Sequence, residues 1–211
     1  STGTSRWEAL DFGPPPSDQE EPESPVLLDY ASDGRVALVT LNRPHADNAI
    51  TTEMGARLTE VIETIAVQTA VRVVILTGAG RAFCSGLDLS DFGEEQSMLS
   101  PMSQQLNDLG WISRFVLGMR LECDKPIVAG LNGVAVGGGF AIAMAADIRL
   151  MRRGARILAG YPRIGGSPDG GLTVTLLEAM SYEQAMRFLL ESRTVAADEV
   201  GEVCRQTRLA V

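Results

Sequence analysis

The 211-residue chain contains three cysteines, and their number and spacing argue against two classes of site. Cys84, Cys123 and Cys204 form an odd set without a C-x-x-C pair, so they fit neither a disulfide framework nor a zinc site. Free thiols are typical of a reducing compartment, and we expect a cytoplasmic protein. No motif marks Cys84 as a nucleophile, so we assign it no reaction.

Basic residues are also scarce, with 18 lysines and arginines against 27 acidic residues and a net charge of −9. A nucleic-acid partner requires a basic face that neutralises phosphates, and no cluster of lysine or arginine provides one. The sequence also lacks an apolar run long enough to span a bilayer and a basic-then-apolar leader. We therefore expect a soluble protein with neither a nucleic-acid nor a membrane partner.

The chain has one histidine, which argues against nucleophilic triads that use histidine as their base. His45 lies in a polar loop between Pro44 and Asn48, and the sequence has no G-x-S-x-G elbow. It has no G-x-x-x-x-G-K-[ST] phosphate loop either. We interpret His45 as a solvated loop residue and expect no metal site.

The chain as a whole has ordinary globular composition, with 45% hydrophobic and 21% charged residues. Residues 1–25 differ, because they combine five prolines and six acidic residues with one arginine. Such a segment buries too little apolar surface to offset its chain entropy, so we predict a flexible acidic tail. A docking arm or an expression remnant is the alternative. Residues 26–211 are predicted to form one core domain.

Alternating strand and helix patterns predict an α/β fold. β-Branched runs at Val36–Leu41 and residues 71–77 flank apolar residues at helical spacing in Thr52–Val67. Similar patterns predict strands at Ile127–Leu131 and 148–151, and helices at 141–146, 172–180 and Tyr182–Glu191. Repeated alternation of this kind indicates a sheet with helical crossovers.

Two glycine-containing segments carry the strongest chemical signal: RAFCSGLDL at residues 81–89 and GVAVGGGF at residues 133–140. Residues 137–139 lack Cβ atoms, and free N–H groups at the start of the following helix favour negative charge. At Gly86 a positive φ would leave the next amide pointing outward. We predict that the two turns aim two N–H groups at one oxygen, as an oxyanion hole for a thioester enolate requires.

These glycines also have structural alternatives. The triplet would equally serve close packing of a helix on a sheet. GAGRAF at residues 78–83 resembles the start of a dinucleotide-binding fingerprint, but it lacks the third glycine, and residues 84–86 interrupt the helix that should follow. Both turns in one chain favour the anion hole, because acyl chemistry needs two convergent donors.

Five motifs in order make residues 26–210 resemble the crotonase superfamily, also called the enoyl-CoA hydratase/isomerase family. They are VTLNRP at 39–44 with Asn48 and Ala49, VVILTG at 73–78, AFCSGLDL at 82–89, KPIVAGLNG at 125–133 before the glycine triplet, and YPRIGGSPDGG at 161–171. The resemblance implies a spiral of ββα turns and an acyl-CoA thioester as ligand. Coenzyme A would be part of the substrate, with no permanently bound cofactor. The resemblance also implies a homo-oligomer, either a trimer or a hexamer.

The resemblance implies roles for individual site residues as well. The amides of Leu87 and Gly138 would be the oxyanion donors, and Ser85 and Tyr161 would join them in binding the thioester. Asp169 is the acidic candidate for catalysis, because it lies in the motif that lines the acyl pocket.

Asp169 also has a structural alternative of equal weight. Ser167 would be a good N-cap and Pro168 suits the first helical position, which would put Asp169 in the first helical turn. A carboxylate there complements the helix dipole without any catalytic role.

The sequence departs from hydratases of the family at both of their catalytic glutamates. The first position is Ala141, and the second is Tyr161 or Arg163, depending on the alignment. We expect Tyr161 to form a pocket wall, with a hydrogen bond to a reacting oxygen as the alternative, and Arg163 to be a surface charge. We therefore predict a one-base isomerase or lyase with Asp169 as proton carrier. The alternative is a non-catalytic acyl-CoA-binding or partner subunit.

Two further expectations concern coenzyme A and the C-terminal region. Arg43 and Arg81 lie in segments that line the CoA site in the family, although solvated charges are the alternative. Residues 195–211 resemble the segment that leads into the family's C-terminal helical region, with CRQ at 204–206 where GLV is usual. We expect this region, which covers the acyl pocket and builds trimer contacts, to be missing or truncated. The remainder would lie outside this sequence, on another chain, or be lost.

Overall fold

The computed structural model describes residues 24–90, 111–200 and 207–210. Its strands are β1 (Val26–Tyr30), β2 (Val36–Leu41), β3 (Val73–Gly78), β4 (Ile127–Leu131), β5 (Ala135–Val136), β6 (Ile148–Arg152), β7 (Arg156–Leu158), β8 (Thr194–Ala196) and β9 (Thr207–Ala210). Its helices are α1 (Thr52–Val67), α2 (Trp111–Leu117), α3 (Gly138–Ala145), α4 (Leu172–Ala179) and α5 (Tyr182–Glu191). Short 3₁₀ turns occur at Pro44–Ala46 and Tyr161–Ile164, and a π-helical turn at Gly118–Glu122. Within these ranges, no helix is long and apolar enough to cross a membrane.

Two sheets organise the described chain, and the predicted α/β class is confirmed. The larger sheet has the order β1-β2-β3-β4-β6-β9, in which β1 is antiparallel to β2 and the other neighbours are parallel. The smaller sheet has the order β5-β7-β8, with β5 parallel and β8 antiparallel to β7. The carboxyl ends of β2, β3, β4 and β6 meet at one edge of the larger sheet, and α/β proteins commonly bind ligands at such an edge.

Local sequence explains the longest helix. The hydroxyl of Thr51 accepts a hydrogen bond from the Met54 amide at 3.1 Å, which caps the N-terminus of α1. Apolar residues at helical spacing then form one buried face, comprising Met54, Leu58, Val61, Ile62 and Ile65. The predicted bounds of this helix are confirmed.

Helix α3 is buried around its whole circumference, so its ends need partners inside the protein. At the C-terminal end, Nη1 of Arg149 donates to the carbonyl oxygen of Ala146 at 2.6 Å. The same atom lies 3.4 Å from the carbonyl oxygens of both Ala143 and Met144. Arg149 is itself 3% exposed, and its charge lies at the negative end of the helix dipole.

Replacement of Arg149 by methionine is therefore expected to destabilise the fold. Methionine keeps an apolar stem but loses the charge-assisted hydrogen bonds, so the free energy of unfolding should fall by about 2–3 kcal/mol. Urea unfolding followed by circular dichroism measures this difference. Arg152→Met, at an exposed position in the same strand, is the control and should change the value by less than about 0.5 kcal/mol. Equal losses in both variants would contradict the capping role.

The chain enters α3 and α4 through glycines; α3 begins before its predicted start, whereas α4 begins at the predicted residue 172. Gly137 has a φ of 53°, a conformation that favours glycine, and it turns the chain directly into a helix at Gly138 rather than at residue 141. Before α4, Gly170 and Gly171 both have positive φ, and Gly171 is the N-cap.

The predicted capping role of Ser167, Pro168 and Asp169 is therefore wrong. Residues 166–169 have no regular structure, and α4 begins at Leu172. The two left-handed glycines separate Asp169 from the first helical turn, so its carboxylate has a different environment from the one that capping would give.

Parts of the sequence prediction fall outside the described residues, namely residues 1–23 of the predicted tail and Cys204. Ser24 and Pro25 are described, and both bind Asn42. The Asn42 amide N–H donates to the Pro25 carbonyl at 2.8 Å, and its side chain donates to the Ser24 carbonyl at 3.1 Å. The first described strand begins at Val26, and the flexible tail stays a prediction.

Candidate active site

The Leu87 amide is oriented by hydrogen bonds on either side of it. The Ile50 N–H donates to the Gly86 carbonyl at 2.8 Å, and the Asp88 N–H donates to the Ile50 carbonyl at 2.9 Å. The C=O and N–H of a planar trans peptide point in opposite directions, so the Leu87 N–H points away from residue 50. Among the described residues, none accepts a hydrogen bond from it. Gly86 has a φ of 101°, which this turn requires and which favours glycine.

The Gly138 amide is oriented by the same rule at the start of α3. The Gly137 carbonyl accepts a hydrogen bond from the Ala141 N–H at 2.9 Å. Across the same peptide, the Gly138 N–H therefore points out of the N-terminus of the helix. It too lacks an acceptor in the part of the chain that the structure describes. A helix N-terminus favours negative charge, so this amide is suited to an oxygen anion.

The two turns that carry these amides are in close contact. A Cβ atom on Gly86 would lie 2.9 Å from the Val136 carbonyl oxygen and 3.7 Å from the Gly138 nitrogen. A Cβ atom on Gly139 would lie 2.6 Å from Sγ of Cys84. Close packing thus accounts for Gly139, whereas Gly138 borders a cavity.

A cavity of about 360 Å³ adjoins both amides. Its wall combines glycine backbone with apolar side chains and a few polar groups, from Ser85, Gly86, Leu87, Leu89, Val136, Gly137, Gly138, Gly160, Tyr161, Ile164, Gly166, Ser167 and Asp169. A concave, mainly apolar site with few polar groups is typical of small-molecule binding. The structure thus brings all the predicted site residues to one cavity, while their individual roles stay predictions.

Asp169 and Tyr161 form a hydrogen-bonded pair in the cavity wall. The Tyr161 hydroxyl donates to Oδ1 of Asp169 at 2.8 Å. Tyr161 is 5% exposed and Asp169 is half-buried. The interpretation of Tyr161 as a pocket wall is therefore incomplete, because its hydroxyl also orients the carboxylate. Asp169 is the single carboxylate among the described residues of the wall.

The environment changes the acidity of both groups. Burial raises the pKa of Asp169 above the usual 3.8, and the hydrogen bond from Tyr161 offsets part of this rise. Burial, followed by the charge of Asp169, raises the pKa of the Tyr161 hydroxyl, which therefore stays protonated and neutral. Perturbed carboxyl groups in clefts are typical of sites that transfer protons.

Replacing Tyr161 with phenylalanine is expected to move the acidic limb of the kcat/KM profile to higher pH. The lost hydrogen bond stabilises the carboxylate, so its removal raises the pKa of Asp169 further. A base acts in its ionised form, and activity should therefore decline at a higher pH as the solution is acidified. Profiles of the two proteins measure this, and superimposable acidic limbs would contradict the coupling.

Other charged and nucleophilic candidates lie away from this pair. His45 is exposed, and the exposed Arg81 donates to both carboxylate oxygens of Asp47, at 2.7 and 2.9 Å. Arg163 is exposed, with Nη2 3.5 Å from the Ser192 carbonyl oxygen. These positions are consistent with the interpretation of all three as surface groups.

Further alternatives from the sequence find no support in the structure. Cys84 is buried, and burial raises the pKa of its thiol to about 12, which disfavours the nucleophilic thiolate. Residues 79–90 form turns and isolated bridges rather than the helix of a dinucleotide fingerprint. Ala141 is fully buried and does not line the cavity. No group of three or more potential ligands for a metal ion occurs among the described residues.

Comparison with known proteins agrees with the motifs and the fold. The family model described as enoyl-CoA hydratase/isomerase matches residues 31–204. The chain belongs to this family. The resemblance to the crotonase superfamily is thereby confirmed.

Individual members of the family illustrate the range of relatives. The chain is 33% identical over 187 residues to a probable enoyl-CoA hydratase, echA12, of Mycobacterium leprae (strain TN), covering 84% of this chain and 61% of that one. It is 33% identical over 180 residues to the 1,2-epoxyphenylacetyl-CoA isomerase of Escherichia coli (strain K12), covering 83% and 66%. The chain thus spans less than two thirds of the length of these curated relatives.

A solved member of the family shares the fold. This structure, from Thermobifida fusca YX, is classed as an enoyl-CoA hydratase and contains acetoacetyl-CoA. It is similar to the present chain with a TM-score of 0.76 and 30% sequence identity, over 89% of this chain and 74% of that one. The crotonase fold is therefore shown.

Sequence reasoning missed several contributors to the site. Ile164 and Ser167 line the cavity, and their place in the YPRIGGSPDGG motif is a signal that could have identified them. Ile50 orients the Leu87 peptide through a bridge between distant segments, for which no local pattern exists.

Proposed function

We propose that this protein is an acyl-CoA enzyme that stabilises a thioester enolate with the amides of Leu87 and Gly138. The pair of unpartnered amides beside one cavity carries the proposal. Two donors on one developing anion are the arrangement that acyl-transfer and enolate chemistry requires. One relative is named as a 1,2-epoxyphenylacetyl-CoA isomerase, and another was solved in complex with acetoacetyl-CoA. Both support a CoA thioester as the substrate class.

The reaction we propose is the migration of a double bond by one base. The Asp169 carboxylate removes a proton from the α-carbon of a 3-enoyl thioester, and the C–H electron pair moves toward the carbonyl carbon. The carbonyl oxygen becomes the enolate oxygen and accepts hydrogen bonds from Leu87 and Gly138. The enolate then takes the proton from Asp169 at its γ-carbon, which yields the 2-enoyl thioester. One carboxyl group takes and returns one proton, so no second acid is required.

Hydration by two glutamates is less compatible with the described site. That reaction needs one group to activate water and another to deliver a proton to carbon. Ala141 has no ionisable group, and the Tyr161 hydroxyl has a raised pKa that keeps its proton in place. Asp169 is the single described carboxylate in the wall, and this supports an isomerase or lyase.

The remaining parts of the proposal follow the family resemblance. Ser85 and Tyr161 contact the bound thioester beside the two donor amides. Coenzyme A enters as part of the substrate, and no cofactor stays bound. The protein is proposed to act in the cytoplasm as a homo-oligomer, either a trimer or a hexamer.

Calorimetric titration with a panel of 2-enoyl- and 3-enoyl-CoA esters tests the function directly. We expect binding, together with conversion of a 3-enoyl ester to its 2-enoyl isomer, separated by chromatography. Binding without conversion across chain lengths would favour the non-catalytic acyl-CoA binder. Ala141, at the position of a catalytic glutamate in hydratases of the family, supports this alternative. Absence of binding to every ester would contradict both functions for this chain.

A further inference from the structure

Arg43 lies behind the turn that carries the Leu87 amide. Its Nη1 atom donates to the Ala49 carbonyl oxygen at 2.6 Å and to Oδ2 of Asp88 at 3.0 Å. The side chains of Arg43 and Asp88 are 18% and 17% exposed. One guanidinium group thus joins the residue before Ile50 to the residue after Leu87.

The backbone of Arg43 is itself held in place by a buried asparagine. The Arg43 N–H donates to Oδ1 of Asn48 at 2.8 Å. The Asn48 side chain donates to the carbonyl oxygens of Ala79 and Ala82, each at 2.9 Å. The backbone of Arg43, just after β2, is therefore anchored through Asn48 to the turn that follows β3.

The direction of the Leu87 amide depends on the segments that Arg43 joins. Ile50 holds the peptides on both sides of Leu87, through the Gly86 carbonyl and the Asp88 amide. These two hydrogen bonds require residues 49–50 and 88 to stay in register. A partly buried ion pair that spans both segments is screened less than an exposed pair and resists their separation.

We infer that Arg43 is a positioning residue that fixes the Leu87 amide through Asp88 and Ala49. The inference rests on the proposed function, because it concerns the proposed enolate donor. Neither Arg43 nor Asp88 lines the cavity, so Arg43 acts on the substrate through Leu87. It is neither a solvated charge nor a ligand of the acyl group.

Three variants of the full chain test this role: Arg43→Met, Asp88→Asn, and the exchange Arg43→Asp with Asp88→Arg. Asp47→Asn is the matched control. It breaks the ion pair with Arg81, which joins the same loop to residue 81 at 2.7 Å but is 85% exposed on the arginine side. Asparagine also suits the left-handed backbone at position 47, where φ is 52°.

Two readouts separate positioning from binding. The first is kcat and KM with a 3-enoyl-CoA ester. The second is the near-ultraviolet absorption of bound acetoacetyl-CoA, whose enolate and keto forms differ in spectrum, and this readout does not require turnover. We expect both single variants to lower kcat about 10- to 100-fold with little change in KM, because a small displacement of a donor costs rate more than affinity. The bound enolate fraction should fall in parallel, the exchange should restore part of both, and Asp47→Asn should match the wild type.

Specific results would overturn the inference. Wild-type kcat and enolate fraction in both folded single variants would do so, as would an equal loss in Asp47→Asn. A raised KM with unchanged kcat would assign Arg43 to coenzyme A recognition instead. If Arg43→Met does not fold by circular dichroism, Asp88→Asn decides, because asparagine retains an oxygen that can accept from Ser90. A wild-type chain that binds acetoacetyl-CoA but never converts an ester contradicts the proposed function, and the enolate spectrum still tests Arg43.

Discussion

Replacing Asp169 with asparagine is expected to lower kcat by about 10²- to 10⁴-fold, the usual contribution of a positioned acid or base. Asparagine has nearly the shape of aspartate and can still accept the hydrogen bond from Tyr161, but it cannot carry a proton. Affinity for an enoyl-CoA ester should stay near that of the wild type, because the donor amides are untouched. Steady-state kinetics and calorimetric titration measure the two quantities.

The stability of this variant provides its control. Burial raises the folded-state pKa of Asp169, so its favourable contribution to folding exists at low pH and is lost as the pH rises through that value. At neutral pH the buried charge opposes folding, and Asp169→Asn should therefore keep or raise the free energy of unfolding. A variant that loses activity and stability together would instead point to a structural role for Asp169.

Replacing Gly138 with proline is expected to lower kcat by about 10²- to 10³-fold, the usual cost of removing one oxyanion donor. Proline has no N–H and is tolerated at the first position of a helix. The preceding Gly137 has φ 53° and ψ −120°, the mirror image of the extended conformation that precedes proline, and glycine adopts both. The bound enolate fraction of acetoacetyl-CoA should fall with kcat.

Gly138→Ala is the matched control for this substitution, because alanine retains the amide N–H. It should keep most of the activity if circular dichroism shows a native fold. Equal losses in the alanine and proline variants would mean that space at residue 138, rather than its amide, matters. Unchanged kcat in a folded Gly138→Pro variant would remove this donor from the mechanism.

The sequence predicts the fold well where local patterns and core burial agree. Helix α1 has an N-cap and an apolar face at helical spacing, and its observed bounds are the predicted ones. The start of α3 differs from the predicted residue 141, because the positive φ of Gly137 depends on backbone geometry that composition does not reveal. Helix α2 and strands β7 to β9 are too short, or their pairing too distant in sequence, for local periodicity to indicate them.

In the site, too, local motifs identify residues that the sequence can predict, whereas contacts between distant segments depend on the fold. The motifs identify Leu87, Gly138 and Asp169, and the structure places all three in the wall of one cavity, while their catalytic roles stay predictions. The sequence does not reveal the hydrogen-bond partner of Asp169. The segment SPDGG is compatible with a helix cap, and the hydrogen bond from Tyr161 becomes visible only in the structure. The contacts of Arg43 could not be predicted from sequence either. Its partners Ala49 and Asp88 are 6 and 45 residues away, and only the fold brings both to one guanidinium group.

The most direct test of the account is α-proton exchange in deuterium oxide. A 3-enoyl-CoA ester and its 2-enoyl isomer are incubated with the full chain and recovered. Mass spectrometry then measures the deuterium content of each ester. We predict that the wild type isomerises the 3-enoyl ester, with deuterium incorporated to the extent that the proton on the half-buried Asp169 exchanges with solvent before its return. Asp169→Asn should bind the ester but neither isomerise it nor incorporate deuterium. An ester that binds the wild type and returns without deuterium or isomerisation would contradict the proposed enolate chemistry and leave a protein that binds acyl-CoA without acting on it.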